Sequence, residues 1–334
     1  MNESNMWKET DEEILQQIPE KLLTWYDKNA RVLPWREDPR PYRVWVSEIM
    51  LQQTRVEAVK PYFERFLKAL PTVEDLAQAP EEQLLKLWEG LGYYNRVRNL
   101  QRGARAVMAE HGGVIPASFE ALKKLPGIGD YTAGAIGSIA FQIPVPAVDG
   151  NVLRVISRVL YRRDNILDTK VKRRIEGEIK EILPERTGDF NQSLMELGAT
   201  VCLPNGAPKC NECPLQELCR AHLVGDEESL PVKTKAKKRK IEQRTVFLLV
   251  CDGKIALRKR PEKGLLARLW ELPSQEGMLG CAEAGKLLQT WGVRTLGELQ
   301  KQTDAKHIFS HVEWHMTCWY VEAALDPDAD VKEL

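Results

Sequence analysis

Four cysteines lie close together near the middle of this 334-residue chain, at Cys202, Cys210, Cys213 and Cys219. Two thiolates separated by two residues can point at one centre, and the polar segment 203–209 lets the chain bring Cys202 to the same centre. The alternatives are four unrelated thiols or two disulfides, but no apolar signal segment at the N-terminus directs the chain to an oxidising compartment. The spacing therefore favours a metal, and four thiolates suit either zinc or an iron-sulfur cluster.

Glu48 is the one ionisable residue in the segment 44–51, whose other residues have the pattern of a buried helix stripe. Burial raises the pKa of a carboxyl, and enzymes use this effect to keep a general acid protonated near neutral pH. The alternative is an exposed position on an amphipathic helix. If Glu48 is buried, it is a candidate general acid.

Asp149 follows the apolar segment 143–148 and precedes a predicted helix start. The ordinary role of such a residue is to cap the helix N-terminus, and capping should also keep the carboxylate ionised. One protonated and one charged carboxyl is the arrangement that breaks glycosidic bonds. The sequence does not show whether Glu48 and Asp149 meet.

A third candidate is the segment 125–134, which contains Gly127 and Gly129. The two glycines allow a tight hairpin whose backbone N–H groups point outward at the start of the next helix, which is an anion site. A glycine pair between helices is more often only a turn. The neighbouring Leu-Pro and the small residues of the following helix favour phosphate binding.

The secondary-structure elements that must position these residues differ between the two parts of the chain. Up to about residue 225 the apolar residues recur at helical spacing, in the segments 14–26, 44–67, 81–88, 96–108 and 171–182. Later segments read as strands at 245–250, 254–259 and 312–321, with a helix at 281–291. We therefore expect a mainly α protein, with a helical domain at 1–225, a basic linker at 226–243 and a smaller α+β domain at 244–334.

The 48 basic and 48 acidic residues cancel, so a nucleic-acid binder must concentrate its positive charge locally. Such a concentration is present in the linker region, where the alternative is a solvated, flexible connector. Its members are Lys233, Lys235, Lys237, Lys238, Arg239, Lys240 and Arg244. No apolar run reaches membrane-spanning length, and we expect a soluble, monomeric, cytoplasmic bacterial protein.

The segments 125–133 and 148–151 and the four cysteines together resemble the helix-hairpin-helix, catalytic aspartate and iron-sulfur loop of the base-excision DNA glycosylases. The segments 45–54 and 90–96 narrow the resemblance to the MutY-type adenine glycosylases, over roughly residues 20–320. The resemblance implies a two-part helical glycosylase domain with a helix-hairpin-helix at 125–134. It also implies a 4Fe-4S cluster in the loop 202–219 and a Nudix-like C-terminal domain.

The implied activity is removal of adenine mispaired with 8-oxoguanine or guanine in duplex DNA. Glu48 matches the residue that protonates the departing adenine, and Asp149 matches the carboxylate that stabilises the oxocarbenium-like sugar. Asn151 and Tyr131 match residues that hold the aspartate and the sugar. In the related endonuclease III type, a lysine at the Tyr131 position attacks the sugar, so a phenol there predicts a monofunctional enzyme without strong lyase activity.

The resemblance also implies the contacts to DNA, since adenine must leave the base stack before it can react. Gln53 and Tyr93 match residues that wedge into the duplex, while Arg36 and Gln192 match residues that touch adenine. Thr54 could supply a further hydrogen bond. Phosphates would be held by Gly127, Gly129, Arg96, Arg98 and the linker, and 8-oxoguanine would be read by Ser310 and His311.

Two departures from the family pattern stand out. The first cysteine gap holds seven residues where six are usual, so the loop must bulge, and the C-terminal domain is expected to stop short of a complete Nudix-like fold at Leu334. Two other classes remain open: a DNA-binding iron-sulfur protein without catalysis, and a nucleotide pyrophosphohydrolase. The second lacks magnesium ligands, because the segment 282–291 offers only Glu283.

Overall fold

A computed structural model describes residues 9–234 and 239–325. The chain divides into two compact units, Met1–Thr234 and Lys235–Leu334. Across the described parts of both units, no helix is long and apolar enough to cross a membrane. The fold class is confirmed: a helical N-terminal unit is followed by an α+β unit.

The N-terminal unit is built from α-helices joined by short loops. In chain order they are α1 Asp11–Asn29, α2 Pro34–Glu37, α3 Pro41–Leu51, α4 Val56–Ala69, α5 Val73–Gln78, α6 Glu81–Trp88, α7 Asn95–His111, α8 Phe119–Lys124, α9 Asp130–Phe141, α10 Gly150–Val159, α11 Thr169–Glu181, α12 Thr187–Thr200 and α13 Arg220–Leu223. Two short 3-10 turns, Cys210–Glu212 and Gln216–Leu218, precede α13.

Two hydrophobic cores divide this unit. The first surrounds α3, where Trp45, Phe63 and Trp88 are fully buried. The second surrounds α10 and α12 and contains Ile156 and Phe190. Because each core belongs to a different set of helices, the unit has the two-part form that the family resemblance implies, with a cleft lined by residues from both sets.

The apolar segment 44–67 is not one continuous helix. The chain leaves the helical conformation after Leu51, and Gln53 takes a left-handed φ of 59° before α4 begins at Val56. The amide of Thr54 donates to the carbonyl of Leu51, which closes the turn. Helical periodicity continued across this turn, so the pattern alone could not locate the break.

In its described residues, the C-terminal unit contains a curled mixed sheet, a separate two-stranded sheet and one helix. Its two long strands, β1 Lys240–Cys251 and β9, which covers residues 312–325, run parallel at its centre. Its helix α14, Cys281–Thr290, packs its buried Ala284 and Leu288 on a core that includes Phe247. The short strands are β2 Lys254–Ile255, β3 Arg258–Lys259, β4 Trp270–Glu271, β5 Ser274–Glu276, β6 Val293–Thr295, β7 Gln300–Lys301 and β8 Ala305–Ile308.

One strand prediction was wrong. The segment 254–259 forms two separate pieces, β2 and β3, and they belong to different sheets. β2 pairs with the end of β1 around the turn at Asp252 and Gly253, as predicted, whereas β3 pairs with β4. The amide of Ala256 donates to the carbonyl of Leu249 at 3.0 Å, which is the last hydrogen bond between this segment and β1 before β3 begins at Arg258.

The structure describes part of the basic run that begins at Lys233. Lys235, Lys237 and Lys238 lie outside the described residues. Strand β1 begins at Lys240, inside the segment 226–243 that we expect to be a linker. Arg244 lies over the ring of Trp314 at 4.1 Å and pairs with Glu242, so its charge is committed within the unit.

Candidate active site and metal centre

A cleft of about 1240 Å³ opens between the two helical cores. It is lined by the C-terminal half of α3, the hairpin before α9, the N-terminus of α10 and one face of α12. Glu48 and Asp149 both line it, so the structure brings together the two carboxyls that the sequence singled out. Its other lining residues from the predicted set are Arg36, Gln53, Thr54, Gly127, Gly129, Tyr131, Asn151 and Gln192.

Glu48 is 6% exposed, which excludes the alternative of a solvent-facing position. Burial raises its pKa to about 7, and the charge of Asp149 acts in the same direction. The hydroxyl of Tyr131 donates a hydrogen bond of 2.6 Å to Glu48 Oε2, which opposes the rise because it favours the ionised form. Glu48 can therefore hold or release a proton near neutral pH.

Asp149 caps α10 as predicted. Its Oδ1 accepts the amides of Asn151 at 2.8 Å and Val152 at 2.9 Å, and its Oδ2 accepts Nδ2 of Asn151 at 2.6 Å. Burial nevertheless raises the pKa of Asp149 above its ordinary value despite these hydrogen bonds. The hydrogen bonds of the cap favour the ionised form, as expected, and desolvation opposes them.

Asn151 is held in turn by a buried arginine that the sequence analysis did not single out. Arg154 Nη2 donates to Asn151 Oδ1 at 2.8 Å, and Arg154 Nε donates to the carbonyl of Cys202 at 2.8 Å. A Cβ atom added at Gly198 would lie 2.5 Å from Cβ of Asn151, so α12 also confines this side chain. Asn151 is thus fixed in orientation toward Asp149 and connected to the cysteine loop.

At the other end of the cleft, Arg36 and Gln192 contact each other. Arg36 Nε donates to Gln192 Oε1 at 3.1 Å, and Arg36 Nη2 donates to Glu196 Oε2 at 2.8 Å. Glu196, which is 1% exposed, also accepts Arg31 Nε at 2.6 Å. Burial opposes ionisation, but these two arginines lower the pKa of Glu196 to about 2.

Sequence reasoning missed Glu196, although the signal that found Glu48 was available. Glu196 stands between Met195 and Leu197 on an apolar helix face, and a carboxylate there must be paired or protonated. The structure pairs it with Arg31 and Arg36.

The two hairpin glycines, Gly127 and Gly129, differ in whether their positions could hold a larger residue. Gly127 has a φ of +81°, and a Cβ atom there would lie 2.7 Å from Cβ of Asn99. Gly129 is the N-cap of α9, has an ordinary φ of −99°, and faces open space. Gly127 is therefore required by the backbone, whereas Gly129 leaves the helix N-terminus accessible to a ligand.

Gln53 and Tyr93 both occupy left-handed backbone conformations, with φ of 59° and 49°. Tyr93 is 48% exposed, while its neighbour Tyr94 packs against the first core. Thr54 accepts a hydrogen bond from Arg96 Nη2 at 3.3 Å. Non-glycine residues with positive φ are uncommon and concentrate at functional sites.

Arg96 does not have the role that the resemblance implied. Its guanidinium is directed into the protein and donates to backbone carbonyls, so the expectation of a phosphate contact was wrong. Arg98 donates to Glu81 at 2.9 Å, so its charge is also paired.

The four predicted metal ligands, Cys202, Cys210, Cys213 and Cys219, line one cavity between α10, α12 and the 3-10 turns. Burial raises the pKa of Cys210 and Cys213 to about 12 and that of Cys219 to about 11. Thiols in this environment become thiolates only when a strong positive charge is supplied, and a metal centre supplies it. The residues present therefore fit a four-thiolate metal centre.

The seven-residue gap after Cys202 is accommodated locally. The amide of Lys209 donates to the carbonyl of Val201 at 3.0 Å, and Gly206 takes a left-handed φ of +72°. The two ends of the loop therefore lie next to each other, and Cys210 follows beside Cys202. The extra residue is absorbed in the excursion between these two ends.

Arg158, which is 2% exposed, donates from Nη1 to Cys202 Sγ at 3.2 Å and to the carbonyl of Leu203 at 2.9 Å. Beside Cys210, the sequence analysis also missed His222 and Glu227. Glu227 Oε1 lies 2.7 Å from His222 Nδ1 and 3.4 Å from Cys210 Sγ. Arg158, His222 and Glu227 line the same cavity as the four cysteines.

In the C-terminal unit, Ser310 and His311 are exposed at the turn between β8 and β9. The turn is closed by the amide of Phe309, which donates to the carbonyl of Val312 at 2.9 Å. The ring of Phe309 packs edge-on against Trp314 at 4.9 Å. Glu283 is occupied as the capping residue of α14, because its Oε2 accepts the amide of Gly280 at 2.9 Å.

Comparison with known families divides the chain at the same two regions. Residues 46–181 match the model of the HhH-GPD superfamily of base excision DNA repair proteins. Residues 245–333 match the model of the NUDIX domain.

Curated relatives are similar over most of the chain. The adenine DNA glycosylase of Rattus norvegicus is 39% identical over 87% of this chain and 68% of its own length. That of Schizosaccharomyces pombe is 34% identical over 93% of this chain and 83% of its own length. That of Arabidopsis thaliana is 43% identical, and the match spans 47% of its length.

Solved structures resemble the helical part. A thermostable thymine-DNA glycosylase superposes with a TM-score of 0.58 at 29% identity, covering 64% of this chain and 97% of its own. A trapped endonuclease III-DNA covalent intermediate superposes with a TM-score of 0.56 at 26% identity, covering 65% of this chain and 99% of its own.

Proposed function

Because the chain belongs to the adenine DNA glycosylases of base-excision repair, we propose that its cleft removes adenine mispaired with 8-oxoguanine, or with guanine, from duplex DNA. The enzyme is a hydrolase of N-glycosyl bonds, and DNA is its substrate. The observation that supports the proposal most strongly is the buried Glu48, whose pKa is raised to about 7 in the same cleft as Asp149.

Glu48 acts as the general acid. Its Oε2 accepts the hydroxyl of Tyr131, which leaves Oε1 to carry the transferable proton. Protonation of the purine ring at N7 makes adenine a neutral leaving group, and proton transfer by a positioned acid contributes about 10² to 10⁴ in rate.

Asp149 stabilises the sugar as positive charge develops on it. Its two oxygens are held by the α10 amides and by Asn151, so the carboxylate need not reorganise during the reaction. The ionised form is the useful one for this role. Burial, which raises the pKa of Asp149, also strengthens its attraction to the cationic sugar.

Tyr131 argues against strand cleavage by the protein itself. Its side chain ends in a phenol that is hydrogen-bonded to Glu48 and lies 3.3 Å from Met195 Sδ. A phenol cannot form an imine with the sugar, so the product is an abasic site with little lyase cleavage.

Arg36 and Gln192 are placed to recognise the extruded adenine, because they share one hydrogen-bonded network at the end of the cleft. Gln53 and Tyr93 form the wedge that enters the duplex and takes the place of the extruded adenine in the base stack. Thr54, which is hydrogen-bonded to Arg96, supports the first of these loops. Gly127 and Gly129 form the phosphate-binding hairpin, since Gly129 exposes the N-terminus of α9.

Cys202, Cys210, Cys213 and Cys219 would hold a 4Fe-4S cluster, as is typical of this family. Bound there, the cluster supplies cross-linking and positive charge rather than a step of the hydrolysis. Arg154 then connects the order of this loop to the catalytic pocket, because it bonds both the Cys202 carbonyl and Asn151.

The C-terminal NUDIX unit reads the opposite base. Ser310 and His311 lie exposed on the β8–β9 turn, where their hydrogen-bonding groups can reach an oxidised purine. We place the helical domain at 1–225, the linker at 226–243 and this recognition domain at 244–334. The protein acts as a monomer in the cytoplasm, where it meets DNA.

The test is direct. Duplexes carrying adenine opposite 8-oxoguanine, guanine or thymine are incubated with the full chain, and free adenine and alkali-labile sites are measured. Adenine release from the first two, with little release opposite thymine, is expected. Absence of adenine release from any duplex would overturn the proposal, and efficient borohydride trapping of protein on DNA would overturn the monofunctional assignment.

A further inference from the structure

Arg96, in the first turn of α7, gathers the carbonyls of two separate segments. On one side are the end of α3 and the turn after it; on the other is the loop between α6 and α7. Nη1 donates to the carbonyls of Ile49 at 3.0 Å, Met50 at 2.9 Å and Gln52 at 2.6 Å. Nη2 donates to the carbonyls of Leu91 at 3.0 Å and Gly92 at 3.2 Å, and to Thr54 Oγ1 at 3.3 Å.

The two segments carry Gln53 and Tyr93, both with left-handed φ. Such a conformation costs about 1–3 kcal/mol at a non-glycine residue and persists only where the surroundings enforce it. The final carbonyls of a helix also lack intrahelical partners. Arg96 satisfies these carbonyls at the end of α3 and, with the same guanidinium, fixes the distance between the two strained turns.

The charge of Arg96 remains inside the protein. Burial lowers its pKa to about 10, so it stays protonated at neutral pH. Its guanidinium lies 5.4 Å from the ring centroid of Trp88 and 5.5 Å from that of Tyr93. The guanidinium thus contacts the ring of the exposed Tyr93 as well as the carbonyls of Leu91 and Gly92, the two residues that precede it.

We propose that Arg96 is the positioning residue for the duplex wedge. It holds Gln53 and Tyr93 at the separation needed to enter the base stack together, without touching DNA itself. This inference rests on the proposed function, in which those two residues are the wedge. Lysine should not replace it, because one ammonium cannot match the planar fork that reaches both segments.

The proposal is tested by base extrusion with chemistry blocked. In a Glu48→Gln background, 2-aminopurine replaces the adenine opposite 8-oxoguanine, and its fluorescence rise on protein binding is measured. Adding Arg96→Lys should reduce that rise several-fold at saturating protein. An unchanged rise would overturn the proposal. No rise in Glu48→Gln with Arg96 intact would instead count against the proposed function.

A second measurement does not depend on the fraction of the variant protein that folds, because it is a ratio of two rates. With Glu48 intact, single-turnover excision is compared between a paired adenine and an adenine in a bulge, where it is already unstacked. Arg96→Lys should lower the ratio of paired to bulged rates at least tenfold, whereas an unchanged ratio would show a merely structural role and overturn the proposal.

The matched control is Arg105→Lys. Arg105 lies on the same helix and donates from Nε to the carbonyl of Ala77 at the end of α5 at 2.9 Å, away from both wedge loops. It should leave the ratio and the fluorescence rise unchanged. A loss equal to that of Arg96→Lys would overturn the proposal.

Discussion

The hydroxyl of Tyr131 lies 2.6 Å from Oε2 of Glu48 and donates to it. Burial raises the pKa of Glu48 and this hydrogen bond lowers it. Burial has the larger effect, so the pKa of Glu48 is raised to about 7. Tyr131 therefore moderates a proton affinity that the apolar helix α3 would otherwise raise further.

Tyr131→Phe should move the pH dependence of excision. Loss of the hydrogen bond to ionised Glu48 raises the pKa of that carboxyl above its value of about 7. Because the protonated form is the active one, the falling limb of the rate at subsaturating DNA should shift to higher pH. A limb at unchanged or lower pH would contradict this role for the hydroxyl.

Glu48→Gln should stabilise the fold at alkaline pH. Because the pKa of Glu48 rises from 4.5 to about 7 on folding, its favourable contribution is complete below the lower value and is lost as pH rises through the upper one. At 1.36 kcal/mol per pKa unit, the loss is about 3 kcal/mol. The measurement is the free energy of denaturant unfolding for both proteins near pH 5 and near pH 8, at matched cluster content.

The expected result is a gain of Glu48→Gln over the natural protein that grows by roughly 3 kcal/mol between the two pH values. The same gain at both values would show that Glu48 is not buried as a titrating acid.

The sequence predicted Glu48, Asp149 and the cysteine centre because each one breaks a local pattern. A carboxylate in an apolar helix and a cap after an apolar segment are visible without coordinates. Arg154 and Arg158 were missed, because both bond to Cys202, more than 40 residues away, and no local pattern predicts those contacts. Glu196 breaks an apolar helix face as Glu48 does, but its arginine partners lie 160 and 165 residues away in the sequence. The role of Arg96 was mistaken for the same reason, since its carbonyl partners on α3 are distant in sequence.

Gly127→Ala and Gly129→Ala should differ although the two glycines share one hairpin. Gly127 has a φ of +81° and its Cβ atom would meet Asn99, so alanine should cost about 1–3 kcal/mol and distort the hairpin. Gly129 has neither constraint, so its alanine variant should keep its thermal stability.

Duplex DNA affinity, measured by fluorescence anisotropy at fixed salt, completes this comparison. Gly127→Ala should lose affinity together with stability, while Gly129→Ala should lose affinity alone if a phosphate approaches the N-terminus of α9. Full affinity in both variants would show that the hairpin is not part of the DNA interface.

Cys213→Ser should remove the cluster and weaken DNA binding. The thiol lines one cavity with the other three, and a hydroxyl is a far weaker iron ligand than a thiolate at the shared centre. Cys281→Ser is the control, because Cys281 is exposed in the C-terminal unit. Iron and acid-labile sulfide should fall from about four per chain to near zero in the first variant only. Equal iron in both variants would contradict the ligand assignment.

The most direct test is the pH dependence of excision by the natural protein and by Glu48→Gln, on a duplex with adenine opposite 8-oxoguanine at subsaturating DNA. The natural protein should lose rate as pH rises through about 7, the pKa of Glu48. The variant should be about 10² to 10⁴ slower near neutral pH with affinity for DNA unchanged. Excision by Glu48→Gln within a few-fold of the natural rate, with the same pH profile, would contradict the assignment of Glu48 as the acid that releases adenine.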